Sequence, residues 1–252
     1  MNRTKFHWFE GMPSKCTILE AVPGVGNVGK LVVDALIEKH PSRVIGWILH
    51  PDFPPHATIG DDGLIMPPRI EVSSIMLPDG STIIVMTGTM QPLTAAGQFE
   101  VSESILELAS KSQTTRLLVL AGLSSKPEDR SIHVVCSDSA VRKSLEEDDI
   151  EVSKTQPEGG MIGITGMILS LAPILSVPAI GVVADTVGTS SDILAADRLS
   201  SWIEEAFDLP LELDLDTTEK TAASLMESIN PGGTIEGYLE IDDPEVSQDF
   251  YV

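Results

Sequence analysis

Unbroken apolar runs alternate along the chain with segments whose apolar positions recur every three or four residues. "TILEAVPG" has the first character, a buried strand closed by a Pro-Gly turn. "GNVGKLVVDALIEKH" follows with helical spacing, because Val28, Leu31, Val32, Ala35 and Leu36 fall on one face. "RVIGWILH", bounded by Pro51, has the length of a strand, and "RIEVSSIMLPDGSTIIVMTG" reads as two strands about a Pro-Asp-Gly turn. An amphipathic helix in "LTAAGQFEVSESILELASK" leads to the buried strand "TRLLVLAGL". The strand "SIHVVCSD" then leads to the polar helix "SDSAVRKSLEED", capped by Ser137 or Asp138. "MIGITGMILSLAPILS" reads as a buried helix feeding the strand "PAIGVVADT". "SDILAADRLSSWIEEAF" is a helix with Asp192 near its start, and "TTEKTAASLMESI" a last one stopped by "NPGG".

Strands without polar alternation, interleaved with helices, belong to a mostly parallel sheet covered on both faces. The expected fold is therefore α/β, a three-layer α/β/α sandwich spanning residues 1–229. Beyond Lys220 there is no Lys or Arg, whereas Glu236, Glu240, Asp242, Asp243, Glu245 and Asp249 accumulate. Residues 230–252 are accordingly expected to form an acidic, flexible tail rather than part of the domain. A formal net charge of −22 argues against nucleic acid and anionic membranes as partners. The longest apolar stretch is interrupted by Pro173 and Pro178, so it reads as a helix and a strand, not a membrane span. Cys16 and Cys136 lie far apart without paired spacing, and "MNRTKFHWFEG" has no apolar core of a signal peptide. A cytoplasmic protein with reduced thiols is the expectation.

Three stretches carry residue types that could do chemistry. Gly24, Gly26 and Gly29 fit G-x-G-x-x-G between a strand and a helix, where glycines let a pyrophosphate approach the helix N-terminus. Asp52, after the next strand, has the place of a ribose-binding acid. With Lys30 the same letters approach a P-loop, but Leu31 stands where Ser or Thr would hold magnesium. The loop of Gly24, Gly26, Asn27, Gly29 and Lys30 is thus either a ligand or phosphate site or a tight turn that favours glycine anyway. "HPDFPPHATIGDDG" gathers His50, Asp52, His56, Asp61 and Asp62, types that ligate metal or transfer protons, though in no helical ligand spacing and among prolines typical of a surface loop. Gly159, Gly160, Gly163 and Gly166 strip the start of a helix for close packing or for an anion. No G-x-S-x-G elbow occurs. No catalytic residue, metal or cofactor is expected.

The end of the chain, "PEVSQDFYV", places one of only two tyrosines at 251. An apolar side chain at Phe250, the hydroxyl of Tyr251 and a carboxylate on Val252 are three handles for C-terminal capture. The acidic residues before them suit a basic receptor rim.

Taken together, "PGVGNVGKLVVDALIEK", "GGMIGITGMIL" and "VPAIGVVADT" followed by "SDILAADRLSSWIE" resemble the proteasome assembly chaperone family, its archaeal members in particular, over about Thr17 to Ile229. The resemblance implies a fold similar to nucleoside phosphorylases without established enzymatic activity, homo-oligomers, and a role in helping proteasome subunits form rings. Some archaeal members end in a hydrophobic–Tyr–any tripeptide that docks between adjacent α-subunits of the core particle. Phe250, Tyr251 and Val252 match its positions. By that resemblance Tyr251 would hydrogen-bond within the inter-subunit pocket, the Val252 carboxylate would pair with a lysine and Phe250 would supply apolar burial. Two function classes follow: a non-enzymatic chaperone or adaptor whose partners are proteasome α-subunits or the core particle and copies of itself, or a phosphorylase-like or nucleotide-binding enzyme using the Gly24–Lys30 loop, with His50, Asp52 or His56 near the reacting centre.

Overall fold

In the computed structural model, which describes residues 2–60, 62–158, 160–188 and 190–215, the chain begins with β1 (Lys5–Trp8) and β2 (Thr17–Ala21), then turns into α1 (Val28–Lys39). It continues through β3 (Ser42–Leu49), the short β4 (Thr58–Ile59) and β5 (Ile65–Met66), β6 (Ile70–Met76) and β7 (Thr82–Gly88). The second half runs α2 (Ala95–Lys111), β8 (Arg116–Ser124), β9 (Ile132–Cys136), α3 (Ser139–Glu147), α4 (Gly163–Leu171), β10 (Ala179–Thr186) and α5 (Ile193–Phe207).

Eight strands form one sheet in the order β1-β3-β6-β7-β2-β8-β10-β9, while β4 and β5 pair apart from it. The central four, β7, β2, β8 and β10, are parallel, with antiparallel strands added at both ends. Apolar sequence without alternation produces this arrangement, because central strands are covered on both faces. All eight residues of β10 are buried. In β2, Leu19 enters the core under α1 and α5, with Leu31, Leu36, Leu118 and Leu199. Its neighbour Ile18 enters the opposite core under α2 and α4, with Met86, Ile105 and Ile168. Each such side chain contributes roughly 1.5–3 kcal/mol when fully buried. The result is helix, sheet, helix in three layers.

Several local readings are corrected or refined. β1 arises from "KFHW", which carries no buried residue and alternates over too few residues to read as a strand alone; pairing to β3 makes it one. The buried helix ends at Leu171 and tightens into a 3₁₀ turn, Ala172–Leu175, where Pro173 removes a backbone donor. Asp138 rather than Ser137 caps α3, accepting from the amides of Ala140 and Val141 at 2.8 and 2.9 Å. The expected helix "TTEKTAASLMESI" and the tail 230–252 lie outside the described residues.

One residue violates the core pattern. Glu20 points to the same face of β2 as Ile18, between Met86 of β7 and Val119 of β8, and is fully buried. Neither carboxylate oxygen has a hydrogen-bond partner among the described residues. Burial alone pushes its pKa from 4.5 up to about 8. A carboxyl with a raised folded-state pKa binds more protons folded than unfolded. The contribution of Glu20 to stability is therefore greatest below about pH 4.5 and declines as pH rises toward 8. Glu20→Gln is expected to flatten this slope, raising the melting temperature at pH 8 by on the order of several degrees and changing it little at pH 5. Thermal melts across that range check it; parallel curves for the two proteins refute it.

Candidate functional site

The glycine turn connects β2 to α1 at the carboxyl ends of the parallel strands, where open α/β sheets commonly bind ligands. Its backbone is shaped by contact with the rest of the protein. Gly26 has φ of 62°, and a Cβ there would lie 2.6 Å from Thr186 Oγ1. Gly29, in the first turn of α1, sits against the Leu120 carbonyl of β8, which a Cβ would meet at 2.4 Å. Asn27 Nδ2 donates to the Ser190 carbonyl at 2.7 Å, and the Asp192 amide donates to the Gly26 carbonyl at 2.9 Å. A Cβ on Gly24 would meet only the Val22 carbonyl, at 3.9 Å. Lys30 is buried and its ammonium donates to both carboxylate oxygens of Asp34, one helical turn onward, at 2.6 Å. Burial raises the Asp34 pKa, and the attraction of Lys30 only partly offsets that rise. The cation that a phosphate would need is committed elsewhere.

The histidine and aspartate loop divides into separate fastenings. His50 Nδ1 accepts from the Asp52 amide at 3.2 Å, leaving its Nε2 proton to donate to Glu100 Oε2 at 3.0 Å. Glu100 also accepts from the Arg3 backbone amide at 2.8 Å, and His50 together with Arg3 holds its carboxyl down at about 2. Asp52 Oδ2 accepts from the amide and hydroxyl of Thr94 at 2.7 and 2.9 Å, while Thr94 Oγ1 caps α2 through the Gly97 amide. Burial pushes the Asp52 pKa up, but the Thr94 hydrogen bonds outweigh it and the net shift is downward. Asp62 accepts from the Leu64 amide, and the His56 backbone amide donates to the Pro54 carbonyl; Asp61 lies outside the described residues. Among the described residues no three His, Cys, Asp or Glu side chains converge as a metal site.

At the start of α4 the amide of Ile164 donates to Gln91 Oε1 at 3.2 Å, and Gln91 Nε2 donates to the Pro23 carbonyl at 2.7 Å. Gly163 and Gly166 are close-packed, the latter against the Met161 carbonyl, while Gly160 is open and Gly159 is outside the described residues. Gln91 thus ties this helix to the glycine turn.

Sequence reading missed one cluster. Asp185, at the end of β10, accepts from Ser125 Oγ at 2.7 Å and His133 Nε2 at 3.0 Å through Oδ1, and from the Ser131 amide at 2.9 Å through Oδ2. Burial raises its pKa, but these hydrogen bonds outweigh it and hold the carboxyl low. The signal was a carboxylate in an otherwise apolar strand, since a buried charge requires partners. The hydroxyl and the imidazole share one carboxylate rather than bonding to each other, so no nucleophile is coupled to a base. These polar groups therefore brace loops. Lys30→Met is expected to cost up to about 3 kcal/mol by leaving the partly buried Asp34 unpaired, and Lys30→Met with Asp34→Leu to recover most of it. Denaturant titrations of both variants measure this. Millimolar phosphate or nucleosides are expected to leave the melting temperature unchanged; a concentration-dependent rise would restore the turn as a ligand site.

Comparison with known proteins bears on the whole chain. The model of the PAC2 family matches residues 18–230. An uncharacterized protein of Methanocaldococcus jannaschii is 26% identical over 215 residues, covering 84% of this chain and 81% of its own. Among solved structures, Pyrococcus furiosus PbaB, an archaeal proteasome activator, superposes with a TM-score of 0.73 at 20% identity, over 92% of this chain and 96% of that one. Pyrococcus furiosus PbaA, an archaeal homolog of proteasome-assembly chaperone, gives 0.72 at 19% identity, over 90% and 96%. A proteasome-assembly chaperone homologue of Mycobacterium tuberculosis gives 0.62 at 16%, over 90% and 96%. At such identities the structures establish a shared fold. With the family match covering both cores and the glycine turn, this chain belongs to the PAC2 family.

Proposed function

We propose that this protein is a non-enzymatic proteasome assembly chaperone or adaptor. The observation that carries the reading is the terminal Phe250-Tyr251-Val252, set behind a stretch free of Lys and Arg on a PAC2 body. Fold neighbours include an archaeal proteasome activator and homologues of proteasome-assembly chaperones. Consistent with a binding role, Asn27, Asp185 and Thr186, near the carboxyl ends of β2 and β10, are engaged with neighbouring side chains or with loop backbone. No observation favours the phosphorylase-like alternative.

In this reading the tripeptide inserts between α-subunits of the proteasome core particle, Phe250 burying apolar surface and Tyr251 and the Val252 carboxylate supplying polar anchors. The acidic stretch speeds encounter with a basic rim. The bodies associate as homo-oligomers, so several weak tails act together and gain avidity. The setting is cytoplasmic; among the described residues no helix is long and apolar enough to cross a membrane.

Tyr251→Ala, or a tag fused after Val252, is expected to reduce capture of proteasome α-rings at least tenfold. Native mass measured alongside should stay that of the wild-type protein. Undiminished capture with either change would sink the docking role.

A further inference from the structure

Among the described residues the outer edge of β1 carries no partner strand. An open edge is a template for pairing, and proteins usually blunt it with proline, a bulge or charge. β1 has no proline, the bulge nearby lies in β3, between Val44 and Gly46, and the strand's one permanent charge is Lys5. Instead β1 presents two different faces. Phe6 and Trp8 stack with centroids 5.7 Å apart on the α2 side, yet remain 36% and 38% exposed. A cleft of about 450 Å³ continues from them, lined by Trp8, Phe9, Glu10, Gly11, Met12 and Leu108. The other face carries Lys5 and His7, and beside His7 lies Trp47 with Arg69 over its ring at 4.9 Å. In a chain of net charge −22, this edge strand has two basic residues and no carboxylate.

The sequence holds a segment that complements both faces. Residues 234–241, "TIEGYLEI", place Ile235, Gly237, Leu239 and Ile241 at alternate positions, with Glu236, Tyr238 and Glu240 between them. That period of two is the sequence pattern of a strand with one apolar and one acidic face. Residues opposite one another in paired strands share a face. Laid along β1, the apolar set covers Phe6 and Trp8, and the glutamates meet Lys5 and His7. Asp242, Asp243 and Pro244 follow directly, and proline ends a ladder.

The connection is long enough. The described chain leaves the body on the α1 and α5 side, where the Leu211 carbonyl accepts from His40 Nε2 at 2.7 Å and the Leu215 amide donates to Asp197. The 18 residues from 216 to 233 span up to ~60 Å extended. They still span roughly 35–40 Å with the expected helix formed. From β10, beneath α5 where Leu215 is held, to β1 is six strand spacings, about 29 Å.

We propose that residues 234–241 add to the open edge of β1 as a ninth strand of the same molecule's sheet. The assignment stands independently of proteasome docking, and would fix the point from which residues 242–252 emerge. Hydrogen–deuterium exchange on the full chain tests it. In the wild type, amides of 234–241 and the outward amides of β1 are expected to be protected. Leu239→Pro is expected to speed exchange of both sets at least tenfold, leaving β2 and β10 unchanged, and Glu236→Lys with Glu240→Lys to act in the same direction. Tyr251→Ala should leave all protection intact even where it abolishes proteasome capture, which separates the two ideas. Random-coil exchange of 234–241 in the wild type, or β1 exchange indifferent to Leu239→Pro, overturns the proposal. Protection that fades on dilution together with native mass gives the edge to a second copy's strand and overturns the intramolecular assignment.

Discussion

The approach of α1 to β8 is the constraint on which the rest of this fold depends. With Gly29 against the Leu120 carbonyl, the helix lies closer to the sheet than a side chain would permit. That closeness sets the path of the turn before it, including the positive φ at Gly26 and Asn27. The turn in turn meets the segment after β10: Gly26 accepts from Asp192, which caps α5 through the Ala195 amide, and Asn27 holds the Ser190 carbonyl. Through Pro23 and Gln91 the same turn reaches α4 on the opposite layer. A helix held farther from β8 would displace all of these contacts, because closely packed interiors transmit small shifts rather than absorb them.

This dependence explains why a sequence so close to a phosphate loop makes a structural joint. Glycines permit approach, but they do not specify what approaches. In a nucleotide site the space they clear is filled by ligand oxygens; here Thr186 and Leu120 fill it. Lys30 follows the same logic, because a buried ammonium requires an anion and Asp34, one turn away, supplies it. His50, Asp52 and Asp185 likewise have their polar atoms engaged by side chains and loop backbone of the same molecule. At β1 the body offers outward an aromatic and basic edge.

Residues whose role depends on immediate neighbours were legible in the sequence. The β6–β7 hairpin follows from Pro78, Asp79 and Gly80 between apolar runs, and α1 from the spacing of Val28, Leu31, Val32, Ala35 and Leu36. The parallel centre was readable because β8 and β10 lack polar alternation. β1 was not, since the alternation in "KFHW" covers only four residues, none of them buried, and the segment is a strand only through β3. The Ser125, His133 and Asp185 cluster was equally hidden, its members lying up to 60 residues apart.

By itself, then, the sequence determined the order of most strands and helices, the layered class, the family resemblance and the acidic composition beyond residue 229. These rest on periodicity, turn chemistry and composition, which act over a few residues. Only the tertiary structure decided which polar groups meet, that Lys30 pairs with Asp34, that Glu20 lies unpartnered among the described residues of the core, and that β1 and β9 are the end strands of the sheet. Those outcomes depend on strand order and helix placement across the whole chain, and a side chain's partners are fixed only once distant segments are packed together.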